Sequence, residues 1–423
     1  MSFDLEAVRA QFPALALTDN GTRRIYFDNP GGTQVPVSVA EAIADCLLTT
    51  NANIGAPFAS SKDVDAMLQS AREAMADYLN APSADEISFG QNMTTITLHL
   101  SRSIGRLLRT GDEIVLSRMD HDANIGPWLL LARDLELEIR WLPFNKETFE
   151  FDLDGLDEVI TNRTRLVCVG GASNFLGTIN DVSSICAKAR SAGALTYIDG
   201  VQLAPHIPID VQEIGCDFFV CSPYKFFGPH QGVMWARGEL LQQLEPYKVR
   251  PASPDLPWRF ETGTQSHEGI AGIAATVEYF ASIGQSMAQD YASRWSQFSG
   301  RRRYVHAALD MLFDYEKTLA SHLIGGLVKI DGITVHGITG ADAMDRRVPT
   351  VSFTHQKTAP ASIAEGLGKQ NIFVWDGDYY ALEVAKALGL HESGGAARVG
   401  PVHYNSIAEV DEFLEALATL LSA

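Results

Sequence analysis

The chain has 423 residues, 46% hydrophobic, with 33 basic residues against 52 acidic ones and a net charge of −19. That length and balance suit a large globular core, one big domain with a smaller one beside it. A surface this acidic repels phosphate backbones and anionic lipid, so neither nucleic acid nor membrane is expected as a partner. No uninterrupted apolar run is long enough to span a bilayer. Residues 1–6 carry neither a basic start nor an apolar stretch, so no secretory signal is expected. The five cysteines (Cys46, Cys168, Cys186, Cys216 and Cys221) are odd in number and lack CxxC spacing. They read as buried thiols of a reducing compartment, the cytoplasm, and not as disulfides or zinc ligands; no metal site is expected.

In chain order, an apolar strand over 86–89 runs into Gly90-Gln-Asn-Met-Thr-Thr95, and a helical pattern starts near Ile96. Strand 112–116 is followed by a helix over 123–134, strands 138–142 and 165–169, a helix over 182–191 and strand 194–199. Short apolar strands alternating with amphipathic helices, from about Tyr26 to Arg237, predict an α/β domain on a mostly parallel sheet. The texture changes after about Gln285. A long helical stretch passes through Arg301, Arg302 and Arg303 to Val328, then come strands 333–335, 350–353 and 372–375 and a last helix over 406–421. This second region reads as a smaller α+β domain, with the arginine run as a solvated helix face.

The chemistry concentrates in Cys221-Ser-Pro-Tyr-Lys-Phe-Phe-Gly-Pro229 and, upstream, Asp199-Gly-Val-Gln202. Lys225 lies between aromatic residues after the apolar run Phe218, Phe219, Val220, where poor solvation lowers its pKa and leaves a nucleophilic amine. Such an amine forms a Schiff base with an aldehyde. Asp199, closing an apolar strand, can keep a pyridinium nitrogen protonated. A lysine for the aldehyde and an acid for the ring nitrogen are the two groups that pyridoxal phosphate (PLP) asks of a protein. Taken singly, Lys225 would be a surface lysine and Asp199 a turn former. Together, with Ser222 and Gln202 at hand, they point to that cofactor. The Gly90–Thr95 stretch offers first-turn N–H groups and a Thr hydroxyl for an anion, though Thr-Thr is also a plain helix cap. His121, in Met119-Asp-His-Asp-Ala-Asn124, follows a strand; a lone His is commonly structural. Arg398, in Ala396-Ala-Arg-Val-Gly-Pro-Val-His-Tyr404, could grip a carboxylate through two parallel bonds or sit on a strand edge.

Ser173-Asn-Phe-Leu-Gly177, Ala192-Gly-Ala-Leu-Thr-Tyr-Ile-Asp-Gly-Val-Gln-Leu-Ala-Pro-His206 and the Lys225 segment resemble the class V aminotransferase and cysteine desulfurase family. The resemblance runs from about Tyr26 to the C-terminus. It implies a PLP-dependent transferase of fold type I, with a large domain over 16–285 and a small one formed by 1–15 and 286–423. It assigns Asn92, Met93 and Thr94 to a phosphate loop, with hydroxyls from Ser222 and Tyr224. It stacks His121 on the cofactor ring as a proton relay, places Asn174 and Gln202 near the ring hydroxyl, and gives the substrate α-carboxylate to Arg398. Thr264, in Glu261-Thr-Gly-Thr-Gln265, matches a residue that reaches the phosphate of the second subunit, which implies a homodimer with shared sites.

The resemblance breaks at one place. Desulfurases carry a mobile-loop cysteine that takes sulfur as a persulfide. The matching segment here is Val374-Trp-Asp-Gly-Asp-Tyr-Tyr-Ala381, with Tyr380 at the cysteine position, and no cysteine follows Cys221. The expected activity is therefore a PLP-dependent reaction at the α-carbon of an amino acid, of aminotransferase or lyase type, with Lys225 as base. A C–S lyase or desulfurase on cysteine-like substrates and a cofactor-free binding protein are the alternatives. Trp128, Trp375, Tyr379 and Tyr380 hint at an aromatic-lined pocket.

Overall fold

The computed structural model describes residues 3–422. Its strand–helix alternation builds a seven-stranded sheet in the order Ile87–Gly90, Gly232–Ala236, Phe218–Cys221, Leu195–Asp199, Thr164–Gly170, Glu113–Ser117, Glu138–Leu142. Only Gly232–Ala236 runs against the rest, so the sheet is mostly parallel as expected. Its inner strands are apolar on both faces because helices cover both sides. Val167, Val169, Ile198 and Phe219 enter one core; Leu166, Cys168, Tyr197, Phe218 and Val220 enter the other.

A second sheet, wholly antiparallel, has the order Ile333–His336, Val351–His355, Ala396–Val399, Trp375–Gly377. The expected strand 372–375 is split. Ile372–Phe373 pairs in parallel with Ile25–Tyr26, and the chain turns at Val374 before Trp375–Gly377 joins the second sheet. This sheet packs on the helix Ile407–Ser422 through Phe353, Phe413 and Leu417.

The helix Gly300–Leu327 joins the two cores. Val305, Leu309 and Leu312 pack into the large one, whereas Leu319, Leu323 and Leu327 pack into the small one. Its arginine run is not the solvated face that the charge pattern suggested. Arg301 and Arg302 both bond the Asp77 carboxylate, at 2.8 and 3.2 Å, Arg301 also reaches Glu278, and Arg303 donates to the Ala292 carbonyl. The helix it meets, Ala59–Leu79, has a buried face of Val64, Leu68, Ala71, Met75 and Leu79 at the spacing of one helical stripe. The N-terminal segment touches both units. Arg9 pairs with Glu409 at 2.9 Å, while the Phe12 ring packs against Phe227, Tyr279 and Tyr404.

One buried pair fixes the loop that leads to Thr264. Arg72 pairs with Glu261 at 2.8 Å, donates to the Ile87 carbonyl at 2.7 Å and lies over the Phe89 ring. Glu261 also accepts from the Phe89 N–H at 3.0 Å. Removing one partner leaves the other charge buried and alone, so Arg72→Met is expected to cost about 3–5 kcal/mol in urea unfolding. The double change Arg72→Met, Glu261→Leu should recover much of that loss. A single-variant cost below about 1 kcal/mol, the size of an exposed pair, would contradict the reading.

Candidate active site

The sheet delivers the chemistry-bearing residues at the C-terminal ends of its parallel strands, where open α/β sheets bind ligands. His121 follows Glu113–Ser117, Asn174 follows Thr164–Gly170, Asp199 ends Leu195–Asp199, and Lys225 follows Phe218–Cys221. Asn92, Met93, Thr94, His121, Asn174, Asp199, Gln202, Ser222, Tyr224 and Lys225 line one cavity. Thr264 is not among them. It is exposed and lines a separate cavity with Gln91, Thr95 and His99. Arg398 borders the site through Asn174, whose carbonyl accepts from its guanidinium at 3.0 Å.

Lys225 is roofed by residues 30–33. Its Nζ donates to the Pro30 carbonyl, and the ammonium lies 4.9 Å from the Tyr224 ring centre. Thr33 ties this roof to the lysine turn: its N–H donates to the Tyr224 carbonyl at 3.1 Å, and its hydroxyl accepts from the Phe227 N–H at 2.8 Å. A Cβ on Gly32 would stand 3.3 Å from the Tyr224 ring, so this close approach suits glycine. Burial lowers the Lys225 pKa to about 7, the Arg398 charge pushes the same way, and Asp199 and Asp28 oppose them. The amine is therefore about half neutral near pH 7.

Asp199 is only 7% exposed and accepts the Val201 N–H at 2.9 Å. Burial raises its pKa to about 6, against the effects of that bond and of Lys225. His121 Nδ1 accepts the Ala123 N–H at 3.0 Å, which leaves the proton of the neutral ring on Nε2. Burial, Lys225 and Arg398 push its pKa down to about 4, so the ring is uncharged at neutral pH. At the start of the helix Met93–Gly105, Asn92 Oδ1 caps the Thr95 N–H at 2.8 Å and Ser222 Oγ accepts the Met93 N–H at 3.3 Å. A helix N-terminus of this kind can hold an anion. Gln202 is buried and donates to Thr350 Oγ1 at 2.9 Å.

Arg398 is 5% exposed, and burial lowers its pKa to about 10. Its guanidinium lies 4.1 Å from the Tyr379 ring centre, and its Nε has no hydrogen-bond partner. Tyr379 and Tyr380 both have left-handed backbones, with φ of 54° and 59°, which costs non-glycine residues energy and needs outside support. That support is visible. The Tyr379 carbonyl accepts from Asn174 Nδ2 at 2.9 Å, and the Tyr380 carbonyl accepts from the Asp122 N–H at 2.7 Å. The Tyr380 ring, 72% exposed, stacks on His121 with centres 5.4 Å apart. Of the four aromatics that hinted at a pocket, Trp128 is fully buried core against Tyr197, and Trp375 covers Gly31.

Sequence reasoning missed Asp120 and the roof. Asp120 lines the cavity, and burial raises its pKa to about 7. Its oxygens accept from Ser117, the Gly170 N–H and Asn124, so it braces the ends of two strands. The run Asp28-Asn-Pro-Gly-Gly-Thr33 carried a turn signal after a short apolar strand. Nothing local said that the turn lies over Lys225.

Comparison with known proteins agrees with this fold. The family Aminotransferase class-V matches residues 25–302 and 303–413. The aminotransferase-like protein FGM3 of Gibberella zeae is 34% identical, and the match covers 99% of each chain. A cysteine desulfurase of Yersinia pseudotuberculosis is 30% identical over 99% of this chain and 98% of its own. Among solved structures, the cysteine desulfurase of Thermococcus onnurineus superposes with a TM-score of 0.86 at 26% identity, over 100% of both chains. The cysteine desulfurase CsdA of Escherichia coli gives 0.82 at 26% identity, over 100% of this chain and 99% of its own. With the family matched along nearly its whole length, this chain belongs to the class V aminotransferases and is a PLP-dependent enzyme of fold type I, of the transferase or lyase type.

Proposed function

We propose that the enzyme acts at the α-carbon of an amino acid by aminotransferase or lyase chemistry without persulfide transfer. The observation that carries this reading is the buried Lys225 amine, with a pKa near 7, in one cavity with Asp199 and a helix N-terminus. The donor set suits PLP. Asp199 offers a carboxylate for the ring nitrogen, Asn174 Oδ1 is a buried acceptor without a partner, and the first turn of Met93–Gly105, with Ser222 and Tyr224, can take the phosphate. Thr264 would complete the phosphate site of a second subunit, in a homodimer; its exposed position off its own cavity supports that role. When bound, PLP supplies an electron sink for negative charge at the α-carbon.

The residues divide the remaining work. Arg398 grips the α-carboxylate and so orients the α-carbon. Lys225 would take the α-proton on Nζ; a pKa near 7 suits a base that must also return it. His121 presents a neutral ring whose Nε2–H can donate without adding charge. Asp199, with a pKa near 6, is mainly a carboxylate at neutral pH and would keep the ring nitrogen protonated. We take residues 16–285 as the large unit and 1–15 with 286–423 as the small one, with the Gly300–Leu327 helix shared. Among the described residues no helix is long and apolar enough to cross a membrane. The buried free cysteines support a reducing compartment such as the cytoplasm.

Persulfide chemistry lacks its thiol. All five cysteines are buried, and Cys221, on the strand that leads to Lys225, has its pKa raised first by burial and then by Asp199. Such a thiol is inert. The segment at the desulfurase loop is pinned by its own carbonyls and carries Tyr380. Elimination from a cysteine-like substrate needs no thiol, and the 30% identity to a cysteine desulfurase keeps C–S lyase activity as the second reading.

Three outcomes test this. Borohydride reduction after loading with PLP should fix the cofactor on Lys225 alone, and Lys225→Ala should lose that link and nearly all turnover. On cofactor-free protein, capture by Lys225 should rise through about pH 7, because the neutral amine is the reactive form. Reduced cofactor on another lysine, or a midpoint near pH 10, would remove the assignment. Arg398→Ala should weaken amino-acid binding by about 2–5 kcal/mol with the cofactor retained; unchanged binding would rule out the carboxylate role. Incubation of the loaded enzyme with cysteine, followed by alkylation and mass spectrometry, should show no protein persulfide. Stoichiometric persulfide on Cys221, lost in Cys221→Ser together with sulfide release, would restore a desulfurase.

A further inference from the structure

The roof over Lys225 contains a carboxylate with no role in the reading above. Asp28 bridges Gly400 in parallel register, and the Phe27 carbonyl accepts the Gly400 N–H at 2.8 Å. Residue 28 therefore lies alongside the end of Ala396–Val399, the strand that carries Arg398. Two residues further on, the Pro30 carbonyl accepts from Lys225. Asn29, between them, is locked by its Nδ2 bonds to the carbonyls of Tyr26 and Gly400, at 3.0 and 2.7 Å, and by the Tyr404 hydroxyl. The backbone thus holds Asp28 beside the end of the Arg398 strand and two residues from the carbonyl that Lys225 meets.

Its side chain is left open. Asp28 Oδ1 is buried without a hydrogen-bond partner, and among the described residues no carboxylate forms an ion pair with Arg398 or Lys225. Other acids of the site are committed: Asp120 accepts three hydrogen bonds, and Asp199 has the ring nitrogen. An amino acid arrives as a zwitterion. Arg398 answers its carboxylate, but its ammonium enters a site already bordered by the Arg398 cation and the partly charged Lys225 amine, and an unanswered buried charge is costly. We propose that Asp28 recognises the ammonium group of the incoming amino acid, opposite the grip of Arg398 on its carboxylate. Burial pushes the Asp28 carboxyl up, while Arg398 and Lys225 pull it back toward the charged form, as an arriving ammonium would. Tyr404 is a further titratable group in its field.

This inference rests on the carboxylate role of Arg398, and the test separates the two. Borohydride-reduced holoenzyme, which cannot exchange its lysine link, is titrated calorimetrically with matched pairs: L-alanine and propionate, L-phenylalanine and 3-phenylpropanoate. Wild type should prefer the amino acid by about tenfold or more, the size of one charge-assisted contact. In Asp28→Asn that preference should fall to within about twofold, because the amino acid weakens while the desamino acid binds equally or tighter once a negative neighbour is gone. Equal binding of the pair by wild type, or a preference that survives in Asp28→Asn, overturns the proposal; the wild-type comparison decides even if the variant does not hold cofactor. Arg398→Ala should weaken both members of each pair. If it weakens neither, the carboxylate reading fails whatever Asp28 does; if it weakens both while Asp28→Asn keeps the preference, only the ammonium role is lost.

Discussion

A lysine and an arginine share one dry site, and most of the surrounding structure manages that fact. Two buried cations repel, and each is short of water. The cost appears as lowered pKa values for both, about 7 for Lys225 and about 10 for Arg398. For the lysine the cost is the useful property, since it leaves a large neutral fraction of amine at physiological pH. For the arginine it is a standing demand for an anion, the demand behind the carboxylate role proposed above. The acids are spaced to moderate this field without cancelling it. Asp199 lies on the cofactor side and Asp28 on the side of Arg398, and neither forms an ion pair that would quench the cations.

Holding this arrangement requires that residues from distant parts of the chain stay in register. Beneath the site, Glu316 of the long helix accepts from His206 Nδ1 at 2.7 Å and from the His403 N–H at 3.0 Å. His403 in turn meets the Tyr279 hydroxyl at 2.7 Å and packs its ring 4.4 Å from Phe227. His206 follows the Asp199 loop, Phe227 follows Lys225, and His403 follows Arg398. The network thus ties together the three segments that bear the chemistry. It is fully buried, and every link is a hydrogen bond or a close ring contact, so it specifies position more than it adds stability.

Tyr379 and Tyr380 build one wall of the site on a held segment. Here the loop carbonyls are bonded to Asn174 and Asp122, and the two strained residues are held by those bonds. The wall presents rings: Tyr379 against the guanidinium of Arg398 and Tyr380 against His121. Such a wall shapes and shields the cavity, which suits chemistry that begins and ends on the substrate and cofactor.

Sequence alone determined the α/β class, the mostly parallel sheet, the second smaller sheet and the lysine–aspartate pair. These are local matters: alternation sets strands and helices, and a charged residue at the end of an apolar run announces a desolvated group. The family resemblance brought forward the cavity-lining residues from Asn92 to Lys225, and the structure has each following a strand of the large sheet and so on one edge. Tertiary structure alone decided the rest. Arg301, Arg302 and Arg303 read as solvated because helical charge says nothing about Asp77 on another helix. The strand expected at 372–375 divides between two sheets because pairing partners are not written in its own residues. Asp28 and Pro30 looked like an ordinary turn, since nothing nearby in the chain marks them as neighbours of Lys225 and Arg398. Those contacts join positions 195 residues apart and more, and only packing of the whole chain brings them within reach.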